Sequence, residues 1–272
     1  MRISKTIVAI LACIGTFATS PYNLSAKPHK KSKTEISNPK KWLRYDIGDI
    51  EFADKARHTK GSEIYHRIIA DPEKFISKCA REVLATLYFS PRDKVEPVES
   101  IYYTLEDKKG ISAKSGKDGR IRIFYSTRHI ESSHKKGGDE KVLFETQGVL
   151  LHELTHAYQL RPQGIGTYST NRVNWTFVES MADAVRIANN GFHGEKDRPK
   201  GGHYSKGYRY GGYFLVWIRD NYDKDFLRKF NLSTLSVIPW SFDGAIKHIL
   251  GEKYSIEELW REYQIAVGDI VD

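Results

Sequence analysis

The sequence predicts an α+β fold in a single domain, with a small mixed or antiparallel sheet followed by a mainly helical C-terminal part. Three observations lead to this prediction. Residues 98–126 alternate apolar and polar side chains between glycine turns, which is typical of strands. The segments after residue 142 repeat their apolar residues every three or four positions, as amphipathic helices do. The 272 residues contain no internal repeat, and this length suits one large domain.

The chain begins with the pattern of an export signal. A short basic leader at residues 1–5 precedes an apolar run at 6–18 that is too short to span a bilayer. We therefore expect residues 1–26 to be a signal peptide, and the protein to be secreted, periplasmic or held at the cell surface without a transmembrane span. Lipid anchoring at Cys13 is an alternative. The apolar run continues past that cysteine, which favours ordinary cleavage.

The chain is basic, and much of the excess charge lies near its start. Residues 27–41 contain six lysines and two prolines without apolar periodicity, which predicts a disordered basic linker before a folded domain at 42–272. The formal net charge of +9 indicates surface chemistry suited to anionic cell-surface polymers, and no nucleic-acid partner is expected. After signal cleavage only Cys79 remains, so no intramolecular disulfide can form, and we expect this cysteine to be buried.

The first half of the domain combines a helix pair with strands. A strand is expected at 42–52 and helices at 61–70 and 72–88, the second capped by Asp71 with Pro72 in its first turn. Three further strands are expected at residues 98–105, 111–114 and 120–126.

The second half is expected to be helical. A polar loop at 132–139 leads into a helix at 142–160, and a second loop leads into a helix at 174–188. The remaining helices are expected at residues 213–221, 225–230, 242–250 and 256–267.

The helix at 142–160 carries the sequence His-Glu-Leu-Thr-His. Positions i and i+4 share one helix face, so His152 and His156 can bind one metal ion while Glu153 points to a neighbouring part of the rim. A zinc hydrolase needs these groups: two nitrogen ligands, an open position for water and a carboxylate that accepts the proton of the water. The same pattern also arises by chance in ordinary amphipathic helices, so a third ligand is required.

The helix at 174–188 supplies that candidate. Glu179 follows His156 by 23 residues, and two histidines with a glutamate from a second helix is the arrangement of thermolysin-like zinc enzymes. Asp183, one turn later, would face the same way and accept the free N–H of a liganding histidine. A surface salt bridge is the alternative for Glu179, but apolar residues surround it. The sequence therefore predicts Zn²⁺ bound by His152, His156 and Glu179.

Glu153 is predicted to be the general base that takes the proton of the water and passes it to the leaving amine. A hydrogen-bond donor that stabilises the oxyanion is expected from the glycine- and tyrosine-rich segment 194–212. His203, Tyr204 and Tyr208 are the candidates, and a packing role explains each of them equally well.

Several motifs together resemble the plant and bacterial basic secretory protein family. They are HELTHAYQ at 152–159, ESMADAVR at 179–186, a Gly-Tyr pair at 207–208 ahead of an aromatic helix, and LWREY at 259–263. The resemblance covers about residues 45–265. It implies a zincin-like fold with the sheet over the motif helix, secretion, and zinc-dependent cleavage of peptide or protein substrates. It also implies that His152, His156 and Glu179 are the metal ligands, that Glu153 is the base and that Asp183 supports a ligand. Among the oxyanion candidates it favours Tyr208.

Two departures from the family pattern bear on the site. Ser180 replaces the usual glycine beside a ligand, and the loop at 161–175 is longer than expected, so that it would reshape or cover the cleft. The favoured function is a monomeric, secreted zinc metallopeptidase. The alternative is a weak or inactive zincin-fold protein that binds extracellular proteins or glycoconjugates, against which the intact Glu153 argues. A structural metal site would require four protein ligands, and only three are found.

Overall fold

The computed structural model describes residues 38–271, so the predicted signal peptide and most of the predicted linker lie outside the described residues. The described part has the predicted α+β composition, with one four-stranded mixed sheet and eight α-helices. The strands are β1 (Asp49–Asp54), β2 (Ser100–Glu106), β3 (Ser112–Lys117) and β4 (Arg120–Ser126). The helices are α1 (Lys60–Ile68), α2 (Pro72–Leu87), α3 (Thr127–Tyr158), α4 (Arg172–Ala188), α5 (Tyr208–Asn221), α6 (Phe226–Leu232), α7 (Phe242–Leu250) and α8 (Ile256–Ala266).

The sheet has the strand order β1-β2-β4-β3 and places β3 at one edge. The pairs β1–β2 and β2–β4 are parallel, and β3 pairs with β4 in antiparallel register. The β3–β4 hairpin closes through Asp118 and Gly119, whose φ angles of 53° and 74° match the mirror-image turn that suits twisted strands. The outer side of β3 is consequently unpaired by any other described strand.

The buried face of the sheet packs on α2 and α3. Ile121, Ile123 and Tyr125 of β4 are buried while Arg120 and Arg122 are exposed, which confirms the alternation read from the sequence. Burial of each such large apolar side chain contributes about 1.5–3 kcal/mol to folding, so this face holds the sheet firmly against the two helices.

Helix α3 begins earlier than expected. The prediction of a loop at 132–139 is wrong over most of its length, because α3 starts at Thr127 and is interrupted only at Gly137 and Gly138. Gly138 has φ 65° and ψ −157°, a conformation that is accessible to glycine and strained for other residues. The two glycines therefore kink the chain, and the part of α3 after the kink carries the histidine motif.

The start of the described chain adds a correction. Residues Pro39–Trp42 form a 3-10 helix within the predicted linker at 27–41, and Asn38 caps it through its side chain. The strand expected at 42–52 begins later, at Asp49 of β1. Trp42 is not part of it and is instead buried beside Tyr88, the residue that follows α2. The cap predicted for α2 is confirmed, since the Asp71 side chain accepts a hydrogen bond from the Lys74 N–H at 2.9 Å.

Helices α4 and α5 pack closely and form the second wall of the domain. Asn171 caps α4 by accepting hydrogen bonds from the N–H groups of Val173 and Asn174. Helix α5 begins at Tyr208, five residues before the predicted start. Cys79 is fully buried, as predicted. Among residues 38–271, no helix is both long enough and apolar enough to cross a membrane.

Candidate functional site

The two histidines of the motif lie one turn apart near the C-terminal end of α3, as the spacing predicts. Their Nε2 atoms are 3.1 Å apart, and their rings are nearly perpendicular at 87°. Both side chains are mostly buried, with 14% of His152 and 10% of His156 exposed. At this distance two unprotonated ring nitrogens would repel each other, so the pair favours a shared proton or a bound cation.

Glu179 on α4 completes the cluster. Its Oε2 atom lies 3.4 Å from Nε2 of His152 and 3.6 Å from Nε2 of His156. This oxygen is buried and has no hydrogen-bond partner among the described residues. A tetrahedral ion with bonds of about 2.0–2.1 Å requires ligand atoms about 3.3–3.4 Å apart, and the three observed separations bracket that value. The cluster could therefore hold a metal ion.

A further side chain supports each histidine from behind. Oδ1 of Asp183 lies 2.7 Å from Nδ1 of His152. The amide nitrogen of Gln159, which is fully buried, lies 2.8 Å from Nδ1 of His156, while the amide oxygen has no partner among the described residues. If the amide is turned so that this oxygen faces the ring, the oxygen gains a partner, and both histidines would carry their proton on Nδ1 and direct the Nε2 lone pair into the cluster.

Burial and hydrogen bonding act against each other within the cluster. Burial alone would lower the pKa of His152, but the hydrogen bond to Asp183 and the nearby carboxylate of Glu179 outweigh it and raise that pKa to about 10. Burial also lowers the pKa of His156, and there it prevails over the contact with Glu179. Burial would raise the pKa of Glu179, but the two neighbouring histidines and the hydrogen bond from Tyr168 hold it well below its ordinary value. The cluster as a whole therefore favours a bound positive charge.

Glu153 lies beside the cluster on the same cleft wall, and only 5% of the residue is exposed. Its Oε1 atom accepts a hydrogen bond of 2.5 Å from the Ser112 hydroxyl, at the start of the edge strand β3. The structure thus joins the motif helix to the sheet edge through this carboxylate. The cleft between them encloses about 1080 Å³, which is large enough for several residues of an extended peptide.

The oxyanion candidates separate in the structure. The Tyr208 ring stacks on that of His152 at a centroid distance of 6.1 Å, and the residue is 45% exposed in the cleft. His203 and Tyr204 instead contact Glu257 of α8 and do not line this cleft. Of the three candidates, Tyr208 is thus the one that lies beside His152, His156 and Glu179.

The backbone that presents Tyr208 is constrained. Tyr208 has φ 46°, which is rare for a residue with a side chain, and Gly207 before it has φ 68°. A Cβ atom on Gly207 would meet the Trp175 ring at 2.7 Å, so glycine is required both for conformation and for space. The Gly-Tyr pair therefore turns the tyrosine ring towards His152.

The long loop between α3 and α4 contributes a residue that the sequence did not indicate. The hydroxyl of Tyr168 donates a hydrogen bond of 2.6 Å to Oε1 of Glu179, the carboxylate oxygen that points away from the histidines. Tyr168 also lines the cleft, so the loop at 161–175 does shape it. No sequence pattern identifies this tyrosine, whereas Gln159 follows His156 by three residues and its helical spacing would have revealed it.

The serine that departs from the family pattern is accommodated by a glycine on the neighbouring helix. Ser180 is fully buried on α4, and any Cβ atom on Gly211 of α5 would clash with its hydroxyl. A Cβ on Gly212 would likewise meet Cβ of Asp183 at 2.9 Å. The paired glycines therefore let α5 approach the side of α4 that carries Glu179 and Asp183.

A comparison with known families agrees with this geometry. The model of a family described as peptidase of plants and bacteria matches residues 48–263. The chain belongs to this family. The match confirms the family resemblance drawn from the motifs, and it covers every residue of this candidate peptidase site. No curated protein and no solved structure gives a significant match.

Proposed function

We propose that this chain is a secreted zinc metallopeptidase that cleaves peptide bonds with Glu153 as general base. The observation that carries the proposal is the convergence of His152, His156 and Glu179 at one point in a cleft, with Glu153 beside them. The cluster opens to that cleft, which suits a catalytic site with a free coordination position rather than a closed structural one.

The three ligands are the imidazoles of His152 and His156 and the carboxylate of Glu179. Zn²⁺ would supply Lewis acidity there, lowering the pKa of water to about 7 and polarising the scissile carbonyl. The donor set supports zinc, because imidazole nitrogen with one carboxylate suits a borderline ion better than hard oxygen-preferring cations.

Glu153 takes the proton of the attacking water and delivers it to the amine that leaves. Its hydrogen bond from Ser112 holds one carboxylate oxygen and leaves the other for the water. The Tyr208 hydroxyl forms no hydrogen bond with another described residue, so it is available as a donor to the developing oxyanion.

Substrate would bind as an added strand. The outer edge of β3 lines the cleft, and its unpaired backbone groups can form a ladder with an extended peptide. Because Ser112 of this strand touches Glu153, such a peptide would pass directly by the base.

Metal analysis and peptide hydrolysis test the proposal together. Purified wild-type protein should contain one zinc per chain and cleave a mixed peptide library. Glu179→Ala should lose the zinc, and Glu153→Gln should retain it while losing activity by about a hundredfold or more, as expected for removal of a general base. Glu252→Gln, at an exposed turn carboxylate, is the matched control and should match wild type. Full zinc in Glu179→Ala or full activity in Glu153→Gln would refute the mechanism.

The proposed secretion is supported by the basic leader and apolar run at the start of the chain. N-terminal sequencing of protein recovered outside producing cells tests it. A secreted chain should begin after residue 18 or 26, whereas a chain that stays in the cytosol and begins at Met1 would refute secretion without affecting the site.

A further inference from the structure

Two positively charged side chains flank the candidate peptidase site without forming an ion pair with any described carboxylate. Lys114 lies on β3, two residues beyond Ser112. Both side chains are half-buried and line the cleft, and because strand side chains alternate, Ser112 and Lys114 lie on the same face of β3. Because a strand rises about 3.3 Å per residue, the lysine stands roughly two residues along from the point where the strand touches Glu153.

Arg161 also lines the cleft and lies close enough to Lys114 to act on it electrostatically. It follows the C-terminal end of α3, and one guanidinium N–H donates to the His156 carbonyl at 3.1 Å. The rest of its donor fork is solvent-accessible. The fork therefore has the planar geometry that binds a carboxylate through two hydrogen bonds.

No carboxylate within residues 38–271 forms an ion pair with either cation, although Glu96 is electrostatically coupled to both of them. Two other cleft cations differ, since Lys141 and Arg186 both pair with Glu145, at 2.7 and 3.1 Å, whereas Arg209 donates to the Asp197 carbonyl and Lys206 lies over the Tyr210 ring. Partial burial, followed by the positive charge of Arg161, lowers the pKa of Lys114. The two like charges are therefore close enough to repel each other, and the same arrangement attracts an anion.

We infer that Lys114 and Arg161 form a subsite for a substrate carboxylate, so that the peptidase prefers peptides with an acidic residue, or a free C-terminus, within about two residues of the scissile bond. This inference rests on the proposed peptidase function and names its substrate class. The competing explanation is that the two cations only offset nearby carboxylates, since Glu96 is electrostatically coupled to both, Glu153 to Lys114 and Glu179 to Arg161.

Cleavage of matched peptides tests the subsite in the full chain. Synthetic peptides that differ only by Glu, Gln or Lys at each position around one cleaved bond are compared by mass spectrometry. Wild type should favour Glu over Gln by roughly three- to tenfold in kcat/KM at one position, the range of a partly solvated charge pair. Amidated and free C-terminal versions separate a side-chain carboxylate from a terminal one.

Variants then assign the preference to the residues. Lys114→Gln should reduce the Glu-to-Gln ratio towards one, and Lys114→Glu should reverse the preference towards Lys. Lys117→Gln is the matched control, because Lys117 lies on the same strand, is exposed and does not line the cleft. If Lys114→Gln lowers cleavage of Glu and Gln peptides by the same factor, the cations only offset charge and the inference is overturned.

Binding without turnover separates this inference from the proposed function. Fluorescent Glu and Gln peptides are titrated against Glu153→Gln protein, with and without Lys114→Gln, and melting temperatures confirm that each variant is folded. A Glu preference that disappears with Lys114→Gln supports the subsite even if wild type cleaves nothing, which would refute the peptidase proposal alone. Cleavage by wild type without any Glu preference in either assay would overturn the subsite alone.

Discussion

The contact between Asp183 and His152 makes a quantitative prediction about metal affinity. The aspartate oxygen lies 2.7 Å from Nδ1 of the ring, and the residue is 4% exposed, so water cannot replace it. Asp183→Asn keeps an oxygen near the ring but removes the negative charge, whereas Asp183→Ala removes both. Loss of such supporting contacts typically weakens metal binding 10- to 100-fold. We expect about tenfold for asparagine and up to about a hundredfold for alanine, or about 1.4 and 2.7 kcal/mol.

Competition between the protein and a fluorescent zinc chelator measures these affinities at neutral pH. Asp220→Asn is the matched control, because Asp220 is an exposed carboxylate on α5 whose side chain pairs only with the adjacent Arg219. Melting curves of the metal-free proteins report whether the variants are folded. The control should bind zinc as wild type does.

Two results would contradict the reasoning. If Asp183→Ala binds zinc within twofold of wild type, the aspartate does not orient the ring of His152. If the Asp183 variants melt at lower temperature but keep full zinc affinity, the contact serves folding alone.

Three further predictions follow from single contacts. Tyr168→Phe removes the hydrogen bond to Glu179 and should weaken zinc binding about three- to tenfold in the same competition assay, and unchanged affinity would exclude this role. Gly211→Ala should lower the melting temperature by several degrees through its clash with Ser180, and Ser180→Gly should restore it; an absence of rescue would show that the cost lies elsewhere. Asp269→Asn removes a buried partner of Arg198 and should cost about 3 kcal/mol in urea unfolding at neutral pH. Burial would raise the pKa of Asp269, but hydrogen bonds from Arg198 and the Gly201 N–H lower it. The difference in unfolding free energy between wild type and Asp269→Asn should therefore shrink as the pH falls below about 4 and the carboxylate is protonated. A difference that does not change with pH would show that the charge of Asp269 is not the cause.

Much of the site was predictable because its spacing is local. An α-helix places residues four apart on one face, so His152 and His156 were bound to converge once the segment was helical. The same period placed Asp183 one turn beyond Glu179. The meeting of the two helices was inferred from chemistry, since buried carboxylates among apolar residues need partners.

The strand pattern predicted less than the helical one. Alternation in β4 correctly identified its buried face, and glycine near residue 119 identified the turn of the β3–β4 hairpin. The pattern carries no information on which strands become neighbours, so the parallel pairing of β2 with β4 and the edge position of β3 were not predictable. The loop predicted at 132–139 failed because polar residues also occur on exposed helix faces, and only the two glycines break the helix.

The sequence by itself therefore determined the two-histidine pair, its candidate base and a candidate third ligand on a second helix, because these depend on helical periodicity and on the chemistry of the residue types. Only the tertiary structure decided which groups support and surround them. The hydrogen bonds of Ser112 to Glu153 and of Tyr168 to Glu179, and the stacking of Tyr208 on His152, join side chains whose positions depend on how α3, α4 and the sheet edge pack. Such contacts depend on distance in space, which residue spacing along the chain does not encode.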